Sequence, residues 1–220
     1  DIANRIAAGE VVERPASIVK ELIENSLDAG ATKIAVDIVE GGRRLIRVTD
    51  NGEGMVAEDA ATCLLRHATS KLYNPDDLFA IKTLGFRGEA LPSIASVSRL
   101  TLETQADSGI GTAIEVAGGQ IVAQREGAFP RGTQITVEDL FYNVPARRKF
   151  LRSESYELSQ VTSYCTHYAL AFPEIQFLLR SGSFEVLSTP AVPAFRERIF
   201  QFFGNGLLDE LVEHRKEIGR

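Results

Sequence analysis

The sequence has little cysteine, no excess of basic residues and no long apolar run. Its two cysteines, Cys63 and Cys165, lie far apart without a Cys-x-x-Cys partner, which predicts reduced thiols in a cytoplasmic protein, or a nuclear one in a eukaryote. No run of about 18 apolar residues and no signal-peptide pattern occurs, so we expect no membrane partner. Twenty-four basic against 30 acidic residues give a net charge of −6, which argues against a dedicated nucleic-acid binder.

The length of 220 residues, 44% of them hydrophobic and 25% charged, suits one soluble domain or one domain with the start of another. A chain of this size buries roughly 70–75% of its unfolded surface, so its core needs neither metal nor disulfide. The chain begins at Asp1 without Met and ends on Gly-Arg without a capping turn. We therefore expect a fragment, with one domain over residues 1–205 and a stub over 206–220 leading to a missing second domain.

Hydrophobic patterning predicts antiparallel strands interrupted by helices. Apolar residues at helical spacing follow Pro15 and stop before Gly30, which predicts a helix over residues 16–29. Further helices are predicted over 58–65, 89–97, 155–171 and from 193 to a glycine-rich end at 204–206. Strands are predicted over 33–40, 45–49, 99–104, 112–116, 120–125 and 133–138, with a hairpin through 181–183. The fold class is therefore α+β: a two-layer sandwich of a mixed, mainly antiparallel sheet with helices on one face.

Glu21 and Asn25 lie four residues apart on the first predicted helix and therefore share a face. Asn25 falls at the margin of the apolar stripe, where an unpaired amide would cost about 1–3 kcal/mol, so it needs a partner. One interpretation is structural, with Asn25 in a core or capping hydrogen bond and Glu21 a solvated acid. The functional alternative is a magnesium ligand and a base: one Asn oxygen together with phosphates can hold Mg²⁺, and a nearby carboxylate can take a proton from attacking water.

The segment Asp50-Asn51-Gly52-Glu53-Gly54 directly follows a predicted strand. Residues of these types commonly form a plain turn. The glycines also partly match a dinucleotide-binding fingerprint, but residues 66–71 are not the second buried strand which that fold needs, so we reject it. The remaining functional interpretation is an adenine site, in which Asp50 accepts a hydrogen bond from the exocyclic amine and the two glycines make room for the flat base.

A glycine-containing segment, residues 85–91, opens another predicted helix. No G-x-x-x-x-G-K-[ST] motif occurs, so phosphate would have to be held elsewhere. Pro92 fixes the helix start near Gly88 or Glu89, because proline is tolerated only in the first turn. The backbone N–H groups from Gly85 to Leu91 are then available for an anion, although a plain helix start is the alternative.

The polar stretch over residues 66–84 shows little periodicity. A segment of this length without regular structure is usually a functional lid or disordered. From such a lid, Thr69, Ser70 and Lys71 could reach a triphosphate when it closes, with Arg87 as a further charged partner.

Aromatic and basic residues follow the strand predicted over 133–138. Phe141, Tyr142 and Phe150 favour a packed aromatic corner, and Arg147-Arg148-Lys149 favours an exposed basic turn. The three cations could instead contact DNA phosphates or an acidic partner. One such cluster in a chain of charge −6 cannot make a tight DNA site alone.

Five strings taken together resemble the MutL family of DNA mismatch-repair proteins, within the gyrase/Hsp90/histidine-kinase/MutL ATPase superfamily. They are IAAGEVV at 6–12, ELIENSLDAG at 21–30, DNGEG at 50–54, GFRGEAL at 85–91 and LFYNVPARRKFL at 140–151. The first and last strings distinguish MutL from the other members of the superfamily. Each motif alone is weak, but their order and spacing together are highly specific.

The resemblance implies a Bergerat-type ATP-binding fold, with ATP between helices and sheet beneath a mobile lid. It implies that Glu21 is the base that activates water and that Asn25 is the Mg²⁺ ligand. The implied ATP-binding residues are Asn25, Asp50, Gly52, Gly54, Thr69, Ser70, Lys71, Gly85, Phe86, Arg87, Gly88, Glu89, Ala90, Leu91 and Thr133.

The resemblance also implies an ATP- and Mg²⁺-dependent ATPase that acts as an ATP-gated dimer clamp in mismatch repair. The partners would be a second copy or a paralogue, a mismatch-recognition protein, and DNA weakly, mostly through other parts of the protein. Family members use a lysine from a second domain and a segment ahead of Asp1 that crosses to the partner, and both are missing here. We therefore expect this fragment to bind nucleotide better than it hydrolyses it. The alternative is a nucleotide-switched interaction module without effective hydrolysis.

Overall fold

A computed structural model describes residues 12–65, 89–106 and 109–208, apart from the side chain of Leu207. Within these ranges the chain forms eight strands and six α-helices. The helices are α1 (Pro15–Asp28), α2 (Ala57–Thr62), α3 (Ala90–Ser96), α4 (Pro145–Phe150), α5 (Glu154–Ala171) and α6 (Phe195–Leu208). The strands are β1 (Lys33–Val39), β2 (Leu45–Asp50), β3 (Arg99–Gln105), β4 (Gly111–Ala117), β5 (Gln120–Gly127), β6 (Gly132–Glu138), β7 (Gln176–Ser181) and β8 (Phe184–Thr189).

The eight strands form one sheet in the order β5-β4-β3-β6-β2-β1-β7-β8. Strands β1 and β7 pair in parallel, and the other six neighbouring pairs are antiparallel. The predicted mixed, mainly antiparallel sheet is thus confirmed. Strands β2 and β6 lie side by side at its centre, with Asp50 at the end of β2 opposite Thr133 at the start of β6.

One face of the sheet is apolar and packs against helices α1, α3 and α5. On β1, Ile34, Val36 and Ile38 are fully buried while their neighbours are more exposed, the alternation expected of a strand with one covered face. The helices contribute apolar residues to the same core; from α1 and α5 these are Ala16, Ile18, Val19, Leu22, Ile23, Val161, Cys165 and Ala169. The site residues of α1 are therefore fixed against the sheet by a continuous core.

The central strands are polar on the other face of the sheet. Thr49 donates a hydrogen bond to Gln134 at 3.1 Å, and Gln134 donates to Glu103 at 2.6 Å. Arg125 forms an ion pair with the same Glu103 at 3.4 Å. These cross-strand contacts tie β2, β6, β3 and β5 together on the side away from the apolar core.

The structure differs from the sequence predictions after β6. The predicted basic turn is the short helix α4, which begins with Pro145 in its first turn. Phe141 is fully buried as predicted, but the prediction that Phe150 joins a packed corner is wrong, because its side chain is 85% exposed. The last helix continues past its predicted glycine end to Leu208, with a break at Gly204, where φ is +69°.

Both cysteines are free thiols, Cys63 half-buried and Cys165 buried, in line with the sequence. Burial raises the pKa of each thiol to about 12. In the part of the chain that the structure describes, no helix is long and apolar enough to cross a membrane. The proposed boundary between residues 205 and 206 stays a prediction, and residues 209–220 lie outside the described ranges.

Candidate functional site

Asp50 ends β2 with its carboxylate turned towards α1 and β6. Oδ2 accepts a hydrogen bond from the Ser26 hydroxyl at 2.8 Å. Oδ1 accepts from the backbone N–H groups of Gly52 at 2.9 Å and Thr133 at 3.3 Å. Burial raises the pKa of Asp50, and the hydrogen bonds from Gly52, Ser26 and Thr133 only partly oppose this rise. The carboxylate is thus held rigidly by three segments that are far apart in sequence.

The Asp50 carboxylate keeps acceptor capacity for a ligand. A carboxylate offers about four lone-pair sites, and the Ser26, Gly52 and Thr133 hydrogen bonds occupy three of them. One site on Oδ2 remains for a donor such as the exocyclic amine of adenine. The adenine role of Asp50 stays a prediction, and the hydrogen bonding leaves an acceptor for it.

Two glycines allow the backbone segments around Asp50 to approach each other. A Cβ at Gly52 would lie 2.7 Å from the Ala29 carbonyl oxygen at the end of α1. Gly54, at φ +67°, packs directly against the Gln105 carbonyl. Because any side chain at either position would push these segments apart, the Gly52-Glu53-Gly54 loop requires glycine for steric reasons.

Two threonines connect the loop to the strands beside it. The Thr104 hydroxyl, on β3, donates to the Gly132 carbonyl at 3.0 Å and accepts from the Met55 N–H at 2.9 Å. It also lies 3.1 Å from the Thr133 hydroxyl. Thr133, which the sequence predicted as a nucleotide contact, therefore belongs to the Asp50 cluster, and Thr104 is a member that sequence reasoning missed.

Asn51 has a structural role in the same loop. Its side-chain oxygen accepts from the backbone N–H groups of Thr32 at 2.9 Å and Lys33 at 2.8 Å. Its amide nitrogen donates to the Thr32 hydroxyl at 2.9 Å. Asn51 thus ties the loop to the turn between α1 and β1, as the turn interpretation of this segment expects.

Helix α1 carries Glu21, Asn25 and Ser26 within about one and a half turns. The Glu21 side chain is 29% exposed and lies 3.5 Å from the Lys20 ammonium. Asn25 is half-buried, as its place at the margin of the apolar stripe predicted. Since Ser26 binds Asp50 directly, the helix links the predicted base and magnesium ligand to the Asp50 cluster.

Three partners around α1 were not predicted from the sequence: Ser26, Glu24 and Tyr168. Glu24 is buried and accepts hydrogen bonds from Lys20 at 2.8 Å and from the Tyr168 hydroxyl at 2.6 Å. The four-residue spacing of Lys20 and Glu24 is a signal that the sequence offers. Tyr168 gives no comparable signal, because it is 144 residues away from Glu24.

The predicted phosphate-binding segment is only partly described. Helix α3 begins at Ala90 after Glu89, and Pro92 lies in its first turn as predicted. The helix packs against α1, which puts its start on the same side of the sheet as the Asp50 cluster. Seven predicted contacts lie outside the described residues: Thr69, Ser70, Lys71, Gly85, Phe86, Arg87 and Gly88.

Comparisons with known proteins identify the family of the chain. Residues 13–145 match a family model described as histidine kinase-, DNA gyrase B-, and HSP90-like ATPase. This region covers more than half of the chain and includes α1, the Asp50 loop and β6. The chain therefore belongs to this family of ATPases.

Relatives named DNA mismatch repair protein MutL match almost the whole chain. The protein of Solibacter usitatus is 60% identical over 213 residues, 96% of this chain and 32% of that protein. The protein of Koribacter versatilis is 58% identical over 212 residues, 96% of this chain and 33% of that protein. The chain thus spans about a third of the length of these relatives.

Solved structures are similar as well. The Aquifex aeolicus MutL ATPase domain complexed with ADP has a TM-score of 0.74 and 39% identity, covering 88% of this chain and 70% of that one. The N-terminal domain of a DNA repair protein has a TM-score of 0.78 and 28% identity, covering 92% and 60%. The predicted fold class and the predicted resemblance to MutL are confirmed, and the chain is a MutL-type ATPase domain.

Proposed function

We propose that this chain binds ATP with the adenine ring hydrogen-bonded to Asp50. It hydrolyses the ATP slowly in a Mg²⁺-dependent reaction, as part of a mismatch-repair protein of the cytoplasm. The observation that carries the proposal is the Asp50 carboxylate, which is fixed by Ser26, Gly52 and Thr133 with one acceptor site left. The ADP bound by the Aquifex aeolicus domain supports a nucleotide as the ligand. The predicted contacts from Thr69 to Leu91 would then hold the phosphates.

The residues on α1 fit a magnesium ion that relies on the nucleotide for most of its ligands. Among the described residues, no group of three His, Cys, Asp or Glu side chains is placed to hold a metal. Mg²⁺ commonly uses one or two protein oxygens together with phosphates and water. Asn25 would supply the side-chain oxygen, and the bound ion would neutralise charge on the phosphates.

Of Glu21 and Glu24 on α1, Glu21 is the better placed to act as a base. Its side chain is 29% exposed, whereas the Glu24 side chain, one turn further on, is 10% exposed and is hydrogen-bonded to Tyr168 and Lys20. A base must reach the water that attacks the terminal phosphate, and an exposed carboxylate one turn from the metal ligand can do so. Glu21 would therefore take the proton from that water.

The proposal is tested by titrating Mg·ATP, and ATP with a chelator, into the wild type, Glu21→Ala and Asn25→Ala. Loss of the base in Glu21→Ala is expected to leave the ATP Kd within about twofold but to slow hydrolysis roughly 10²–10⁴-fold. Asn25→Ala is expected to abolish the Mg²⁺-dependent part of binding. Glu58→Ala, at an exposed position on α2, is the matched control and is expected to change neither. Equal loss of binding and turnover in Glu21→Ala would contradict the base role.

We further propose that ATP closes the full protein into a dimer, with a second copy or a paralogue, that cooperates with a mismatch-recognition protein. Moving such an equilibrium from mostly open to mostly closed requires about 5.5 kcal/mol of differential nucleotide binding. Mass measurements of the full-length protein with a non-hydrolysable ATP analogue are expected to show the dimer. If Glu21→Ala closes with ATP as readily and reopens no more slowly than the wild type, the nucleotide-switched module without effective hydrolysis is the better description.

A weak DNA contact through α4 is the third part of the proposal. Arg148, Lys149 and Phe150 are exposed on this helix, although the chain as a whole is acidic. Phosphate contacts of this kind weaken as salt rises, because bound counterions are released. A DNA affinity that does not change with salt would exclude the α4 cations as its source.

A further inference from the structure

A buried carboxylate lies one turn from the proposed base on α1. The Glu24 side chain is 10% exposed, and each of its oxygens has a short hydrogen bond. The Tyr168 hydroxyl donates to Oε1 at 2.6 Å, and Lys20 Nζ donates to Oε2 at 2.8 Å. Since a buried carboxylate without partners is costly, these two donors are what permits Glu24 at this position.

Tyr168 ties the Glu24 carboxylate to a second helix by a hydrogen bond. It lies on α5, and its ring stacks on Phe172 with centroids 6.4 Å apart and planes at 21°. Burial, and then the hydrogen bond to Glu24, raise the pKa of Tyr168, so that the hydroxyl stays protonated and remains a donor. The position of Glu24 is therefore set by the packing of α5 on α1.

Lys20 lies between Glu24 and the proposed base. Its ammonium is 2.8 Å from Glu24 Oε2 and 3.5 Å from Glu21 Oε1. Burial opposes the charge on the amine, but the hydrogen bond to Glu24 and the attraction of both carboxylates outweigh it and raise the pKa of Lys20. Lys20 is thus a cation that is bonded to the buried Glu24 carboxylate and lies next to the partly exposed Glu21 carboxylate.

This arrangement differs from an ordinary ion pair on a helix surface. The pair Glu40–Arg44 has the same four-residue spacing, but its side chains are 52% and 63% exposed and 3.8 Å apart. Such exposed pairs contribute little and do not fix a side chain. Lys20 is bound more closely, and its anchor Glu24 is tied to α5 by Tyr168.

We propose that Lys20 is a positioning residue for Glu21, held in place by Glu24 and Tyr168. The inference rests on the proposed function, in which Glu21 is the base. The ammonium restrains the Glu21 carboxylate through their ion pair, and so fixes the direction from which it takes a proton. Lys20 acts through Glu21, so its effect falls on hydrolysis rather than on nucleotide binding.

The test uses the protein at its natural length with Lys20→Met, Lys20→Arg and the matched ion-pair control Arg44→Met. Hydrolysis is measured in a single turnover, and the Kd is measured with a non-hydrolysable ATP analogue. Lys20→Met is expected to slow hydrolysis roughly 10- to 100-fold, since the base loses its alignment, while the Kd stays within about twofold. Lys20→Arg is expected to restore most of the rate, and Arg44→Met to change neither quantity.

Two results would overturn the inference: an unchanged rate in Lys20→Met, or a parallel loss of rate and affinity that Lys20→Arg does not rescue. If Lys20→Met does not fold, Glu24→Gln and Tyr168→Phe replace it, because each releases the anchor and is expected to slow hydrolysis with an unchanged Kd. Failure of the proposed function gives a different result, since Glu21→Ala would then hydrolyse ATP normally. Slow Glu21→Ala with normal Lys20→Met removes only the role of Lys20.

Discussion

Replacing Asp50 by Asn is expected to separate ATP binding from folding. In Asp50→Asn the side-chain oxygen can still accept from the N–H groups of Gly52 and Thr133, which lie 2.9 and 3.3 Å from Oδ1. The new amide nitrogen can donate to the Ser26 hydroxyl, which is free to donate in turn to the Leu22 carbonyl at 3.0 Å. The variant therefore keeps every hydrogen bond that holds this corner of the fold.

The effect on stability has a definite sign. Burial raises the pKa of Asp50 above its ordinary value of 3.8, so the folded wild type holds this proton more tightly than the unfolded chain does. The protonated Asp50 side chain contributes fully to the free energy of unfolding of the wild type below pH 3.8. This contribution is lost as the pH rises through the pKa of Asp50 in the folded protein. Asp50→Asn carries no such charge, so its free energy of unfolding should gain on the wild type as the pH rises from 3.8 to neutrality.

The effect on ATP is opposite. The amide nitrogen of Asn would face the adenine amine, so two donors meet where a donor met a charged acceptor. Losing a hydrogen bond to a charged group costs about 1.5–3 kcal/mol, and leaving donors unpaired costs about 1–3 kcal/mol more. A total of about 2.5–6 kcal/mol corresponds to roughly 60- to 20,000-fold weaker ATP binding.

Stability is measured by urea unfolding at a series of pH values between about 3.5 and 8, the range in which the Asp50 carboxyl titrates. ATP binding is measured by calorimetric titration at neutral pH. Asp37→Asn is the control, because Asp37 forms a half-exposed ion pair with Arg180 at 3.6 Å. It should lose no more than about 1 kcal/mol of stability and keep its ATP affinity. An Asp50→Asn variant that binds ATP normally, or that loses stability relative to wild type as the pH rises, would refute the reasoning.

Two further substitutions test the packing behind the site. Gly132→Ala should lower the free energy of unfolding by about 2–4 kcal/mol, because φ is +116° and the new Cβ would lie 2.8 Å from Asn51 Cα. The control is Gly182→Ala, at φ +58° with no atom within 4 Å of the new Cβ. It should lower the free energy of unfolding clearly less in the same urea titration. Arg198→Met should cost about 2–4 kcal/mol, since the buried guanidinium donates to two backbone carbonyls at 2.6 and 2.7 Å. Hydrogen exchange should then accelerate in α6, whereas exposed Arg196→Met should leave it unchanged.

The parts of the fold that the sequence predicted are those set by neighbouring residues. The apolar period before Gly30 gave α1 within a residue or two, and the alternation of Ile34, Val36 and Ile38 gave β1. Helix α4 was missed because distant contacts help to hold it: the Arg43 side chain donates to the Leu151 carbonyl at 3.2 Å, just after the helix ends. Local patterning carries no information about a partner 108 residues away.

The candidate site divides along the same line. Glu21, Asn25, Asp50 and the glycines were predicted because motif spacing marks them, and their roles stay predictions until tested. Phe141 shows what spacing cannot reveal: its backbone is left-handed, with φ +62°, while its N–H donates to the Val97 carbonyl at 2.8 Å. A bulky residue adopts this conformation only where the surrounding structure compensates for the strain. The local sequence therefore does not predict the left-handed backbone of Phe141.

Glu21, Asn25 and Ser26 all lie on α1, so this one helix fixes the positions of the three side chains relative to each other. A shift of this helix by a single residue step, about 1.5 Å, would displace all three side chains together. A deletion of one residue between them would rotate the later ones by about 100° about the axis relative to Glu21. Under the proposed function, adenine recognition and chemistry at the terminal phosphate are therefore coupled through α1, because a change in the length of this helix would displace the residues for both.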